Sequence, residues 1–443
     1  MNKLITTISN IFKIKELKDK ILFTLLLLLV YRVGSLLPLP WIDINALSNL
    51  ESNNLVSKFS NSIGLSLTNY SLFSLGVMPY ISASIIMQLI SFAVPSFHKM
   101  NEEEAGRRKI NQYTRILTIG IAVAQSFAYM GFIFKQEILQ KGILLEDVMF
   151  LYVVLLTGGT MFSMWLGEKI SDKGIGNGIS LLIAINIISR LPKALLGELD
   201  TNGFLNIGFF LVELAGLFFT ILLTVAIVQA TRKIPLQYAR QMVGGGTISS
   251  GPRSYLPFKL TLVGVMPVIF AQTLTMIPQF LGSSLQNVPY LGQFLVSLSM
   301  QDSWSHNLFL CVLIVLFTYF YTALTVNPNK IADDLKRSNA YIPEVKPGED
   351  TVTYLDNVLS LITFPGAIFL CIIAILPAIV KNFFGLSADV SSFFGGTSLL
   401  IMVGVVLDTL QQVETYLLMQ KYDGMVDGGR IKGRIENDFA SVQ

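Results

Sequence analysis

The chain has 443 residues, 52% of them hydrophobic and only 14% charged, with a net charge of +3 and a mean hydropathy of +0.60. A soluble domain is nearer a quarter charged, and apolar runs of about 20 residues recur along nearly the whole length, so the composition is that of a polytopic membrane protein. The two cysteines, Cys311 and Cys371, lie inside apolar runs, and the two histidines, His98 and His306, are far apart. With no CxxC, HExxH, GxSxG or P-loop spacing, nothing argues for a disulfide framework, a metal site, a hydrolase or an NTPase.

Residues 1–20 carry five lysines, with Leu4, Ile8, Ile11, Phe12 and Leu17 at helical spacing. They read as an amphipathic helix on the cytoplasmic face of the membrane. The first span is expected at about 21–37, with Arg32 near its far end. Residues 45–70 are rich in Ser and Asn. Such a stretch is either an outer loop or a segment shielded from lipid by protein or water.

The second span, about 72–92, contains LGVMPYISASIIMQLISF. Pro79 stands one turn inside it, and Ser82, Ser84 and Gln88 interrupt its isoleucines. The proline predicts a kinked helix, packed against neighbours that satisfy its polar groups or lining something that opens. A charged loop follows. Further spans are expected at about 116–134, 149–166, 174–189, 207–229, 260–281, 308–326, 358–380 and 397–419. Two polar connections are long for such a bundle, 231–258 and 327–356, and a polar tail occupies 421–443. The long connections read as docking sites for a cytoplasmic partner or as solvated tethers.

This gives ten spans. Of the 32 Lys and Arg, 24 fall in the terminal segments and the connections on one side. Six fall on the other: Lys58, Lys135, Lys141, Arg190, Lys193 and Lys381. Arg32 and Arg115 belong to helix ends. The asymmetry places both termini in the cytoplasm. Ten spans divide into two fives, 21–190 and 207–420, and each half has a proline-containing, polar-dotted helix in second place. In the second half that helix carries Gln272 and Thr273. An odd number per half makes the halves inverted relative to one another.

Two chemistries suit such a chain. A secondary transporter needs coupling acids near the midplane, and Asp408 is the one carboxylate well inside a span. A gated channel needs an apolar constriction. Val77 and Ile81, and again Ile179 and Ile183, stand four apart on one helical face and suit a ring that closes a wet path by dewetting. The same spacing serves lipid-facing or packing residues. A membrane scaffold without a pore is the third class.

The strings GVMPYISASIIMQL, GRRKINQYTR, GTMFSMWLGEKISDKGIGNGISLLI, FYTALTVNPNKIADDLKRSNAYIP, KPGED and GGTSLLIMVGVVLDTLQQVETYLL closely resemble the SecY family over about residues 11–434. The resemblance implies an all-α channel of ten transmembrane helices in two inverted halves around a central pore. It would pass unfolded secretory polypeptides across the membrane and release apolar segments sideways into lipid, with no catalytic step and no cofactor. It implies a pore ring of Val77, Ile81, Ile179, Ile183, Ile269 and Ile401, and a plug at about 54–70. A lateral gate would run between the second and third spans and the seventh and eighth, with Gln88, Gln272 and Thr273 at or near it. The implied partners are SecE and SecG subunits, the SecA motor, the ribosome, signal peptides and nascent polypeptides, and membrane lipids, in the bacterial inner membrane. Arg240, Arg253, Lys336, Arg337 and Lys346 would serve partner binding in the two long loops. The chain departs from the family pattern in lacking a glycine pair in the plug, in an uncharged tip (VGGGTISSGPR) to the first loop, and in Lys346 where an arginine usually precedes PGE.

Overall fold

The computed structural model describes residues 14–41, 71–135, 145–202, 207–238, 254–261, 264–272, 274–275, 297–298, 303–384, 388–391 and 393–427. Each of the ten expected spans meets helical residues. The helices are α1 (Lys15–Leu36), α2 (Met78–Ala93), α3 (Pro95–Glu102), α4 (Glu104–Lys135), α5 (Leu145–Lys173), α6 (Gly178–Asn202) and α7 (Ile207–Val228). After a helical stretch at 266–272 come α8 (Trp304–Thr325), α9 (Pro328–Arg337), α10 (Glu349–Phe384), the short α11 (Ala388–Ser391) and α12 (Gly396–Asp427). Among the described residues, five helices are long and apolar enough to cross a membrane by themselves, and α2 with α3 makes a sixth if the bent pair is one span. The N-terminal residues 1–13, the expected plug at 54–70, Thr273, Arg240, Arg253 and the tail beyond 427 lie outside the described residues.

The second span is built differently from its expectation. Pro79 occupies the first turn of α2, where its missing N–H would have had no intrahelical partner, so it starts the helix and does not kink it. The bend comes at the other end. Between α2 and α3 the chain turns by 110° at Val94–Pro95. The expected charged loop there is mostly helix, α3 and the first turns of α4.

Burial separates lipid-facing helices from central ones. Only 11% of the apolar window of α7 is buried, against 56% for α10, although both are strongly hydrophobic. Exposed Leu211, Val212, Phe218 and Phe219 on α7 thus suit contact with lipid tails. One core gathers Leu27, Leu28 and Tyr31 of α1, Phe73, Val77, Leu166 and Ile170 of α5, and Leu182 of α6. A second gathers Val268 and Ala271 with residues of α8, α10 and α12. The connection from α1 to α2 begins and ends at one place. Pro38 bridges Ser71, and the Leu72 N–H bonds the Leu37 carbonyl at 3.0 Å.

The two long polar connections are not tethers where they are described. β1 (Thr231–Tyr238) pairs antiparallel with β2 (Ser254–Lys259), in register from Thr231 with Lys259 to Leu236 with Ser254. β1 also pairs with β3 (Ala340–Tyr341), giving the order β2-β1-β3. Alternation drives this small sheet. Ile234 and Leu236 point inward from β1 and Phe258 from β2. They bury against Ile342, Leu355, Leu359 and Ile362. α9 starts at Pro328 under an Asn327 cap, whose side-chain oxygen accepts from the Asn329 and Lys330 N–H groups at 3.1 and 3.4 Å. The all-helical expectation therefore holds for the spans, while a β platform stands at one end of the bundle, called the sheet end below.

Candidate functional site: an apolar waist between helix bundles

Four elements bring the six expected ring residues together. α2 supplies Ile81, with Val77 as its N-cap residue, α6 supplies Ile179 and Ile183, the stretch 266–272 supplies Ile269, and α12 supplies Ile401. Val77 and Ile401 are 3% and 6% exposed. The contacts close on themselves through shared side chains. Ile81, Ile179 and Ile183 pack on the core that holds Val77. Ile183 and Ile269 both pack on the cluster of Ile401, Ala184, Ile187, Phe393 and Val405. Ile81 and Ile269 both pack on Ile85, Phe270 and Tyr321. The order round the waist is thus α2, α6, α12, 266–272 and back to α2. In lipid such packing gains little from the hydrophobic effect, because acyl chains are as apolar as isoleucine. What a ring of branched apolar side chains does well is exclude water from a narrow path.

Two polar residues expected near a gate have different surroundings. Gln88 is exposed on α2 and meets α8, where the Tyr321 hydroxyl donates to its Oε1 at 3.5 Å. Its Nε2 donates to Ser84 at 3.4 Å. Phe92, one turn on, meets Phe320 of α8 edge to face at 5.6 Å. Gln272 bonds instead to α12, its Oε1 accepting from buried Thr397 at 2.9 Å. Only Gln88 has its described partner across the α2/α8 seam. Sequence reasoning missed Tyr321, Phe320 and Thr397, although FTYFYTALT signalled an aromatic-rich helix face.

The α6/α12 seam is tied at its sheet end by the glycine loop before α6. The Ile175 N–H donates to Thr24 Oγ1 of α1 at 3.0 Å, and the Gly176 N–H to Gln412 Oε1 of α12 at 2.8 Å. The Gly178 N–H donates to Ser171 Oγ of α5 at 2.9 Å. Nearby, Lys20 Nζ donates to the Tyr416 hydroxyl at 2.6 Å and lies 4.2 Å from the centre of its ring. Gly176 has φ +83°, and a Cβ on Gly178 would stand 2.0 Å from the Gly167 carbonyl oxygen, so both positions need glycine.

Asp408, the acid a transporter would use, is exposed on α12, and its Oδ2 accepts from Gln412 Nε2 at 3.5 Å. Among the described residues no group of three or more His, Cys, Asp or Glu could hold a metal ion. Lys336, Arg337 and Lys346 are exposed on the platform, the first two in the last turn of α9. Arg232, Lys233 and Lys259 are exposed on its strands.

A family model described as SecY matches residues 71–410, which include all six ring residues. The protein translocase subunit SecY of Chlamydia trachomatis serovar D is 37% identical over 457 aligned residues, covering 97% of this chain and 99% of that protein. Among solved structures, one described as a protein conducting channel aligns with a TM-score of 0.64 at 19% identity, over 89% of this chain and 91% of that one. Sec61 in the canine ribosome-channel complex from the endoplasmic reticulum aligns with a TM-score of 0.60, also at 19% identity, over the same shares.

Proposed function

The chain belongs to the SecY family, and from that premise we propose that it is the protein-conducting channel of a membrane translocase, passing unfolded polypeptide through the waist and releasing apolar segments sideways into lipid. It catalyses no bond-making step, so energy comes from a partner. The observation that carries the reading is the closed chain of shared contacts through Ile81, Ile183 and Ile269. A carrier site would present polar groups at that depth. Val77, Ile81, Ile179, Ile183, Ile269 and Ile401 form the pore ring. Branched aliphatic side chains yield around a passing chain and re-close behind it without a bond to remake.

The lateral gate is the seam of α2 with α8, with Gln88 and Tyr321 as its polar contact and Phe92 and Phe320 as its aromatic one. Gln272 supports the gate from behind, through Thr397 of α12, and Thr273, next in sequence, is assigned to the same seam. The two inverted halves are 21–190 and 207–420, and residues 54–70 form the plug. The bacterial relatives favour a bacterial inner membrane, and the charge asymmetry favours both termini in the cytoplasm, which places the sheet platform there. Its exposed Lys336, Arg337 and Lys346, with Arg240 and Arg253, then face the SecA motor and the ribosome. SecE and SecG complete the complex.

The test is direct. Vesicles reconstituted with the chain, its partner subunits, motor and ATP should take a secretory precursor into a protease-protected lumen. No protection with every partner present, beside an active reference translocase, would overturn the channel reading.

A further inference from the structure

Asp408 and Gln412 are unexplained by the channel reading. They are four residues apart and share one face of α12. The Gln412 amide is held at both ends. Its Nε2 donates to Asp408 at 3.5 Å, which turns its Oε1 toward the Gly176 N–H at 2.8 Å. A carboxylate only accepts, so Asp408 fixes which end of the amide faces the loop. Thr409, between them, stands 3.0 Å from where a Gly176 Cβ would be, so the loop lies directly on this face.

The loop leads straight into the ring. Ile179 and Ile183 lie in the first two turns of α6, and Ile401 lies roughly three turns before Gln412 on α12. α6 and α12 run antiparallel, and Ile183 and Ile401 share one cluster. A bond from Gly176 to Gln412 therefore sets the register in which Ile183 meets Ile401. The neighbouring Ile175 N–H, held by Thr24, fixes the same loop to α1.

We propose that Asp408 and Gln412 act as positioning residues for the pore ring: Asp408 orients the Gln412 amide, Gln412 pins the Gly176 N–H, and the pinned loop holds the α6 isoleucines against Ile401. Asp408 is then a structural acid and carries no ion. The inference rests on the channel reading above, and its test separates the two.

The measurement is resting ion conductance of the complete reconstituted complex in planar bilayers, beside uptake of precursors with intact and defective signal sequences. Gln412→Met keeps the length of the side chain and removes the acceptor. It should raise resting conductance by about fivefold or more, the effect of one lost hydrogen bond, and admit defective precursors. The exchanged pair Asp408→Asn with Gln412→Glu reverses the internal bond but keeps an acceptor toward Gly176, and it should be as tight as the parent. Thr24→Val should leak and Thr24→Ser should not. Gln412→Met with parental conductance and selectivity overturns the proposal, as does an exchanged pair that leaks like Gln412→Met. If Gln412→Met does not accumulate in the membrane, the exchanged pair and the two Thr24 variants decide alone, and equal behaviour of the Thr24 variants counts against it. A parent complex that takes up no precursor rejects the channel reading itself, whatever the variants do.

Discussion

The waist has two opposite junctions, and they are held by different means. At the α6/α12 junction, backbone N–H groups of a glycine loop bond to side chains on α1, α5 and α12 at 2.8–3.0 Å. At the α2/α8 seam beside Ile269, one hydroxyl meets one exposed amide at 3.5 Å, and phenylalanine edges complete the contact. Of these bonds the one from Gly176 to Gln412 crosses to α12, so parting the first junction leaves that N–H unmade at a cost of about 1–3 kcal/mol, while the bonds to α1 and α5 keep the loop in place on its own side. Phenylalanine edges exchange their contacts for acyl chains at far lower cost. In the proposed channel one side of the ring would then hold while the other parts, from differences in bonding that a few residues create.

Substitutions can break this contrast, and the largest effect belongs to the holding side. Gly178→Val drives a side chain into the Gly167 carbonyl. It should cost at least about 3 kcal/mol and be seen as loss of the folded chain from the membrane fraction. Normal accumulation would mean that the loop yields. Next is the ring beside the seam. Ile81→Asn introduces a hydrated group worth about 1–3 kcal/mol at the constriction, so resting conductance should rise roughly tenfold, with accumulation near normal. A smaller change is expected on the parting side. Tyr321→Phe removes only the bond to Gln88 and should cost the closed seam about 1 kcal/mol. Single-channel recordings should show roughly fivefold more open time, with conductance per opening unchanged. The smallest lies outside both junctions. Arg115 pairs with Glu168 at 2.9 Å, with the arginine half exposed. Arg115→Gln should change thermal stability by less than about 1 kcal/mol and gating not at all. If it moved gating as far as Tyr321→Phe, the contrast between seams would be blurred.

Much of this was legible in the sequence where the signal is local. Val77 with Ile81, and Ile179 with Ile183, stand four apart, a spacing that puts each pair on one helix face, and the count of Lys and Arg fits ten spans. Ile269 and Ile401 carry no such signal. Their place depends on how distant helices meet, and only the family resemblance pointed to them. Pro79 was misjudged because a proline reads as a kink unless the helix start is known, and that start was five or six residues later than the apolar run suggested. The platform was missed for another reason. Ile234 and Leu236, like Leu256 and Phe258, alternate as strand residues do, but loop signals such as GGG and GPR dominated that stretch. The Gly176 contact to Gln412 spans a separation of 236 positions, and nothing nearby in sequence announces it.

The placement of Ile401, Gln412 and Tyr416 on α12 has a consequence for how the molecule is made. α12 is the last described helix to leave the ribosome, and it brings one wall of the ring, the acceptor for Gly176 and the anchor for Lys20. At roughly 5–20 residues per second, the stretch from the end of α8 to the end of α12 takes on the order of 5–20 seconds to synthesise. During that interval the earlier helices reside in the bilayer with an unclosed ring and an unsatisfied loop. A nascent copy is therefore a recognisably unfinished object until its final helix arrives. That gives membrane proteases and insertion factors a physical mark, an open ring and a Gly176 N–H without its acceptor, by which to tell a truncated channel from a complete one.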